Sequence, residues 1–395
     1  MIRLGDIVDM TFGFAFRSAE FSSDPEDVML LRGDNIAQGR LRWEGVKRFP
    51  RDRVGDFDRY RLAVGDVVIA MDRPWIEAGL KWSIVRESDV PSLLVQRVAR
   101  LRARSVLDQR YLAAIVGSRA FTDYVIGVQT GSAVPHISGG QIADFTFADL
   151  PPMREQRAIA AALGALDDKI ESNRRAVGTL NDLAAAQFSV WRGATETSRT
   201  VTFGSFADVH GGATPKTSES SYWDGGLAWT TPTDVTRLPS PYLFTTSRTI
   251  SDHGLRSCAA VMHPVGTILM TSRATIGVFA VNQVPTATNQ GFIAVRPRRD
   301  AHRWFLLEEM RSRVPEFLDN ANGSTFLEIS RGRFKELALE VPADAAIDAL
   351  DRMLAPLHKK AVQLAQEAAA LGDLRDSLLP AVLSGRLRFA EEVDS

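Results

Sequence analysis

The sequence predicts an α+β protein: two duplicated α/β domains separated by two long helices that form an antiparallel coiled coil, the whole pseudo-twofold. Three observations predict it. Gly131-Ser132-Ala133-Val134-Pro135-His136-Ile137-Ser138 returns as Gly323-Ser324-Thr325-Phe326-Leu327-Glu328-Ile329-Ser330, an offset of 192 residues. Each copy leads through Gly140 or Gly332 and an alternating apolar stretch (Phe145 and Phe147; Leu337 and Leu339) to Pro151 or Pro342. Each proline is followed by a long heptad-patterned segment, so a unit of globular domain plus helix occurs twice. Duplex DNA is the commonest ligand with matching symmetry.

A chain of 395 residues has room for two or three domains with true cores. Its 45% hydrophobic and 24% charged residues are ordinary for a soluble protein. Cys258 is the only cysteine, which excludes a disulfide framework or thiolate metal cluster and fits a reducing cytoplasm. Met1-Ile2-Arg3-Leu4-Gly5-Asp6 lacks the apolar core of a signal peptide, and no apolar run spans a bilayer, so no membrane partner is expected. The net charge of −1 is unusual for a free-standing DNA binder. Either the basic groups concentrate on one face, or partner subunits supply the phosphate attraction. Arg40, Arg42, Lys47, Arg48, Arg51, Arg53, Arg59 and Arg61 do cluster, against Glu44, Asp52, Asp56 and Asp58. A solvated charged surface is the competing reading.

The first domain is placed at 1–150. Asp66-Val67-Val68-Ile69-Ala70 and Leu93-Leu94-Val95-Gln96-Arg97-Val98 read as strands between Gly/Asp turns, and 109–116 as a short helix. A central spacer helix follows at 151–192. Ile159, Leu163, Leu166, Ile170, Asn173, Val177, Leu180, Ala184, Gln187 and Trp191 alternate spacings of four and three, a sustained coiled-coil seam. Asn173 either fixes register there or is a tolerated polar residue near solvent.

The second domain, 193–342, repeats the cues of the first. Gly65-Asp66-Val67-Val68-Ile69 pairs with Gly266-Thr267-Ile268-Leu269-Met270, Gln96 with Gln290, and Leu4-Gly5-Asp6-Ile7 with Phe203-Gly204-Ser205-Phe206. The tips diverge: Met71-Asp72-Arg73-Pro74-Trp75 has no literal counterpart in Thr271-Ser272-Arg273-Ala274. One scaffold with two tips suggests two recognition sites. A second spacer helix, 343–385, repeats the seam 191 residues on as Leu350, Leu354, Leu357, Ala361, Leu364, Ala368, Leu371, Arg375, Leu378 and Val382, and 386–395 is a tail. Pro356 should kink this helix or mark its true start. Each helix of about forty residues is roughly 60 Å long. One seam wants one partner, and an antiparallel pair makes a calliper with a domain at each end; packing into separate bundles is the alternative.

No catalytic signature survives inspection. Gly211-Gly212-Ala213-Thr214-Pro215-Lys216-Thr217 has Pro215 where a phosphate loop needs Gly before its Lys. The six His residues (His136, His210, His253, His263, His302, His358) lack metal-ligand spacing, and His136 faces Glu328 across the repeat. No Asn/Asp-Pro-Pro-aromatic motif of an amino-methyltransferase is present; Leu150-Pro151-Pro152-Met153 suits a helix first turn.

At the helices the chain resembles the specificity subunit of type I restriction-modification systems. The resemblance rests on Leu150-Pro151-Pro152-Met153-Arg154-Glu155-Gln156-Arg157-Ala158-Ile159 running into Leu163-Gly164-Ala165-Leu166-Asp167-Asp168-Lys169-Ile170. It rests also on Leu374-Arg375-Asp376-Ser377-Leu378-Leu379-Pro380 with Leu383-Ser384-Gly385-Arg386-Leu387, and on Leu4-Gly5-Asp6-Ile7 with Gly13-Phe14-Ala15-Phe16. The second lead-in, Pro342-Ala343-Asp344-Ala345-Ala346-Ile347, departs by lacking the Glu-Gln of the first.

The resemblance implies two target-recognition domains, each reading half of a split sequence in double-stranded DNA. It implies helices that set the unread spacer and hold two methyltransferase subunits, which bring S-adenosylmethionine and adenine N6 chemistry. Restriction subunits, using ATP and Mg, complete the complex; the chain itself carries no catalytic residue, metal or cofactor. Candidate base readers are the polar, basic or aromatic tip residues: Arg73, Trp75, Lys81 and Trp82 in the first domain, and Lys216, Trp223, Trp229, Thr231 and Arg273 in the second. Arg and Lys suit guanine edges and Thr a thymine methyl. Phosphate contact or packing competes at each position, packing especially for Trp. The rivals are a subunit serving a methylation-only complex, a DNA-cleaving enzyme with fused recognition domains, and a coiled-coil scaffold that binds no nucleic acid.

Overall fold

The computed structural model describes residues 1–76, 79–131, 134–147, 149–323 and 326–383. Ser132, Ala133, Ser324 and Thr325 of the repeated motif, the Ser384-Gly385-Arg386-Leu387 block and the tail at 386–395 lie outside the described residues. The chain divides into two compact units: Met1–Asp168 with the segment from Leu371 onward, and Lys169–Ala370. Both long helices are cut by this division, so each unit holds one globular domain and parts of two helices.

In the first unit Val67–Ala70 lies inside a four-stranded sheet, between Val98–Ala103 and Trp82–Ile84, with Val8–Phe12 at the edge. All of its pairings are antiparallel. Successive strand residues face opposite ways. Val67 and Ile69 therefore enter one core with Leu4, Tyr111 and Leu112, while Val68 and Ala70 enter another with Leu31, Val85 and Leu94. Burial on both faces explains the unbroken apolar run in the sequence. A smaller sheet pairs Val28–Leu31 antiparallel with Arg48–Phe49 and parallel with Ser92–Leu94. The run expected as one strand at 93–98 is thus two strands in two sheets. Arg97 takes φ 68°, a left-handed conformation that breaks an extended chain. The short helix Gln109–Val116 is present, capped by Asp108.

The second unit repeats this plan on its own. Ile268–Thr271 pairs antiparallel with Phe292–Pro297 and Phe279–Asn282, and Ala207–Gly211 flanks Phe292–Pro297. Ile268 and Met270 face a core containing Phe305 and Phe334, and Leu269 faces Leu243 and Phe292. The smaller sheet again joins one antiparallel and one parallel neighbour, Arg248–Ile250 and Ala287–Thr288, to Trp223–Thr230. The duplication seen in short motifs therefore extends to the order and pairing sense of four strands in the larger sheet, to which the second unit adds Tyr242–Leu243 parallel to Phe279–Asn282.

The long helices are Met153–Ala194 and Asp344–Leu383. Every described seam side chain on both is buried or half-buried. In the second unit they run antiparallel: Lys169 Nζ lies 3.4 Å from Glu367 Oε1, and Asn181 and His358 share the Tyr242 hydroxyl at 3.3 and 3.0 Å. The expectation of one seam for one partner needs correction, because the seams also serve as domain core. Ile159 and Leu163 pack with Leu379 and the first domain's Leu4 and Tyr111. Val177, Ala184, Leu350 and Leu354 pack with Phe305 and Phe317 of the second domain. Asn173 is 2% exposed and its Nδ2 has no hydrogen-bond partner, so it does not lie near solvent.

Pro356 does not mark a helix start, since the helix begins at Asp344. Arg352 and Pro356 are both exposed, which leaves water within reach of the Arg352 carbonyl that loses its helical donor. The first lead-in owes its Gln to structure. Gln156 is 1% exposed; its Oε1 accepts from Asp108 N at 2.8 Å, and its Nε2 donates to the Val106 and Pro151 carbonyls at 3.1 and 2.8 Å. This side chain ties the helix to the first domain. No described helix is long and apolar enough to cross a membrane.

Candidate nucleic-acid interface

The repeated motif is a clamp, built identically in each domain. In the first, Thr130 and His136 exchange both backbone hydrogen bonds, at 2.9 and 2.7 Å, closing a hairpin. Ile137 then donates to the Met71 carbonyl at 2.9 Å and buries its side chain completely. Ser138 caps the following short helix by accepting from Gln141 N. In the second domain Asn322 and Glu328 exchange bonds of 2.9 Å, Ile329 donates to Ser272 at 3.0 Å, and Ser330 caps by accepting from Arg333 N. The motif glycines open the hairpin with φ of 92° at Gly131 and 140° at Gly323, values that L residues avoid. A Cβ at Gly323 would overlap the Phe326 carbonyl oxygen. The repetition thus encodes how a hairpin is held against a strand end.

Each clamp grips a residue in a conformation that is uncommon outside glycine. Arg73 (φ 45°) donates its N–H to Pro135 O at 2.6 Å, and Ala274 (φ 60°) donates to Leu327 O at 3.0 Å. Beside them, the side-chain pair differs between domains. His136 Nδ1 meets Asp72 Oδ1 at 2.7 Å, with Arg97 Nε 3.8 Å from Asp72 Oδ2. In the other domain Arg273 Nε meets Glu328 Oε2 at 3.2 Å.

Of the first-domain candidates, Arg73 is exposed at this tip. Trp75 is half-buried in a short pairing of Trp75–Ile76 with Gly79–Leu80. Lys81 is 9% exposed; burial pulls its ammonium below the ordinary value, with the Asp34 carboxylate working against that shift and Arg73 with it. Trp82 is half-buried against the domain core, and a Cβ at Gly117 would overlap its ring.

In the second domain Arg273 is exposed at the clamp, and Lys216 is exposed on a separate loop. Trp223 and Trp229 are 7% and 4% exposed and stack edge-to-face at 5.1 Å. Their indole N–H groups donate to the Lys216 and Ala213 carbonyls at 3.3 and 3.1 Å. They shape the loop from within, and Arg248 lies over the Trp223 ring at 3.6 Å. Thr231 caps Pro232–Thr236, its Oγ1 donating to Asp234 Oδ2 at 2.7 Å. Gly212 lets the backbone pass tightly against the Thr288 and Asn289 carbonyls, and Ala213 N–H donates to Thr288 O at 2.9 Å.

Reading the sequence missed Asp72, Arg97, His136 and Glu328 as a set. The available signal was the residue just before the repeated Ile, which is His in one copy and Glu in the other. Three other histidines are buried. Desolvation pushes His263 down to about 4 and His358 to about 3, and Trp304 stacks on His358 at 3.8 Å. They are neutral packing groups near neutral pH. Among the described residues, no group of three or more His, Cys, Asp or Glu side chains is placed to hold a metal ion.

Each of the two units thus holds a sheet domain with a clamped tip, and the two tips carry different side chains. Residues 195–353 match the type I restriction modification DNA specificity domain. Over this segment the chain is similar to the specificity subunits of type I restriction-modification systems. It is 38% identical over 159 residues to the type I restriction enzyme EcoAI specificity subunit of Escherichia coli, covering 40% of this chain and 26% of that one. It is 30% identical over 176 residues to the MjaVIII specificity subunit of Methanocaldococcus jannaschii, covering 44% and 41%. The chain therefore spans less than half the length of these relatives. The type I system S subunit from M. genitalium has the same fold, with a TM-score of 0.56 at 14% identity over 96% of this chain and 95% of that one.

Proposed function

We propose that this chain is the DNA sequence-specificity subunit of a type I restriction-modification complex. Each domain reads one half of a bipartite target. The observation that carries this is the pairing of an identical hairpin clamp with different tip side chains: Asp72 and His136 in one domain, Arg273 and Glu328 in the other. A scaffold kept constant while its tip changes is what two independent base readers require, since backbone geometry positions and side chains specify. The near-zero net charge is accounted for when partners build most of the phosphate-binding surface. Those partners are two methyltransferase subunits, bearing S-adenosylmethionine and adenine N6 chemistry, and restriction subunits that use ATP and Mg.

On this reading the purified chain alone transfers no methyl group, hydrolyses no ATP and cleaves no DNA. Incubation with labelled S-adenosylmethionine and duplex DNA, with and without methyltransferase subunits, tests it. Incorporation is expected only when both are present. Methyl transfer by the single chain would overturn the assignment.

A further inference from the structure

Resting on that reading, we propose that Asp72 and Arg273 are specificity-determining side chains that read opposite base chemistry. Asp72 accepts from the amino group of adenine or cytosine in the major groove, and Arg273 donates to O6 and N7 of guanine. The two residues occupy one structural position. Asp72 bridges antiparallel to His136, and Arg273 to Glu328. Both lie just past equivalent strands, Val67–Ala70 and Ile268–Thr271. Both precede the left-handed residue that the hairpin grips, Arg73 or Ala274. Only the polarity is reversed: acid on the strand and base on the hairpin in one domain, base on the strand and acid on the hairpin in the other.

The side-chain pairs are not needed to hold the hairpins. Backbone bonds from Arg73 and Ile137, or from Ala274 and Ile329, already do that. The pairs are also open to solvent, with side chains 42% and 28% exposed for Asp72 and His136, and 52% and 37% for Arg273 and Glu328. Exposed pairs of this kind add little to stability. What they do is orient. Each buttress restricts the rotamers of its partner, so less freedom is lost when a base is bound.

Hydrogen-bonding capacity remains on both. An ionised carboxylate has about four acceptor sites, and His136 and Arg97 approach one on each oxygen of Asp72. Glu328 engages Arg273 through Nε, which leaves the terminal fork for a guanine edge. A bare acid would repel the duplex, but Asp72 lies beside Arg97 and His136.

The test is selection of bound duplexes from a random-sequence library by the full-length chain assembled with its methyltransferase subunits, and by complexes carrying its Asp72→Ala, Asp72→Asn, Arg273→Ala and Arg273→Lys variants. Thermal melts check that each variant is folded. Arg273→Ala is expected to lose preference for one guanine in one half-site, by roughly ten- to hundredfold, with the other half unchanged. Asp72→Ala is expected to lose one adenine or cytosine in the other half, and Asp72→Asn to shift that position towards adenine. Uniformly weaker binding with an unchanged motif, or no change at all, would overturn this inference and leave the subunit assignment standing. Failure of the wild-type complex to select any sequence would overturn the assignment itself.

Discussion

Phe305→Ala is expected to destabilise the second unit by about 3–5 kcal/mol, the range for emptying a buried aromatic site. Phe305 is 1% exposed and lies where the first long helix meets the domain. Its ring centroid is 6.4 Å from Phe188, 6.1 Å from Trp191 and 5.9 Å from Phe206. Three rings from two different elements converge on it, so no single neighbour can relax into the cavity. Urea unfolding of the full chain measures the effect. Val190→Ala, on the same long helix but at a side chain 75% exposed, is the control and is expected to change stability by less than about 0.5 kcal/mol. Equal losses for the two variants would mean that this helix does not form part of the domain core.

Gly323→Val is expected to abolish reading of one half-site while the fold survives. At φ 140° a β-branched residue is strained, and its Cβ overlaps the Phe326 carbonyl oxygen. Relief requires opening the hairpin between Asn322 and Glu328, which carries the buttress of Arg273. Local strain of about 1–3 kcal/mol is enough to displace a loop edge without unfolding a domain. Binding to duplexes mutated in one half-site or the other provides the readout. The variant should discriminate at the first domain's half and lose discrimination, by up to about a hundredfold, at the second's. Full discrimination at both halves would show that the clamp does not position the reader.

The parts of this fold legible in the sequence are those governed by local periodicity. The seam from Ile159 to Trp191 could be read because a helix returns a side chain to the same face every three or four residues. The doubling was legible because the clamp glycines, the buried Ile and the capping Ser each satisfy a backbone requirement that few residues meet. Contacts between distant segments were not legible. Asp72 and His136 are 64 residues apart, and the polarity reversal in the second copy hides their equivalence from any comparison of letters. Strands as short as Ala287–Thr288 carry no period to detect. The break at Arg97 looked like a continuous apolar strand because nothing in Leu93-Leu94-Val95 announces a left-handed residue two positions on. Burial of Trp223 and Trp229 depends on carbonyls at Lys216 and Ala213 that only the folded loop brings within reach.

Two separable readers on one chain would be exchangeable singly, and replacing residues 1–150 with the corresponding domain of a specificity subunit of different target shows whether they are. The exchanged chain is combined with its methyltransferase subunits in cells, and methylated adenines are mapped across the genome. The expected result is a bipartite motif in which one half is replaced by that of the donor and the other half is retained. A motif altered in both halves, or one left wholly unchanged, would contradict it.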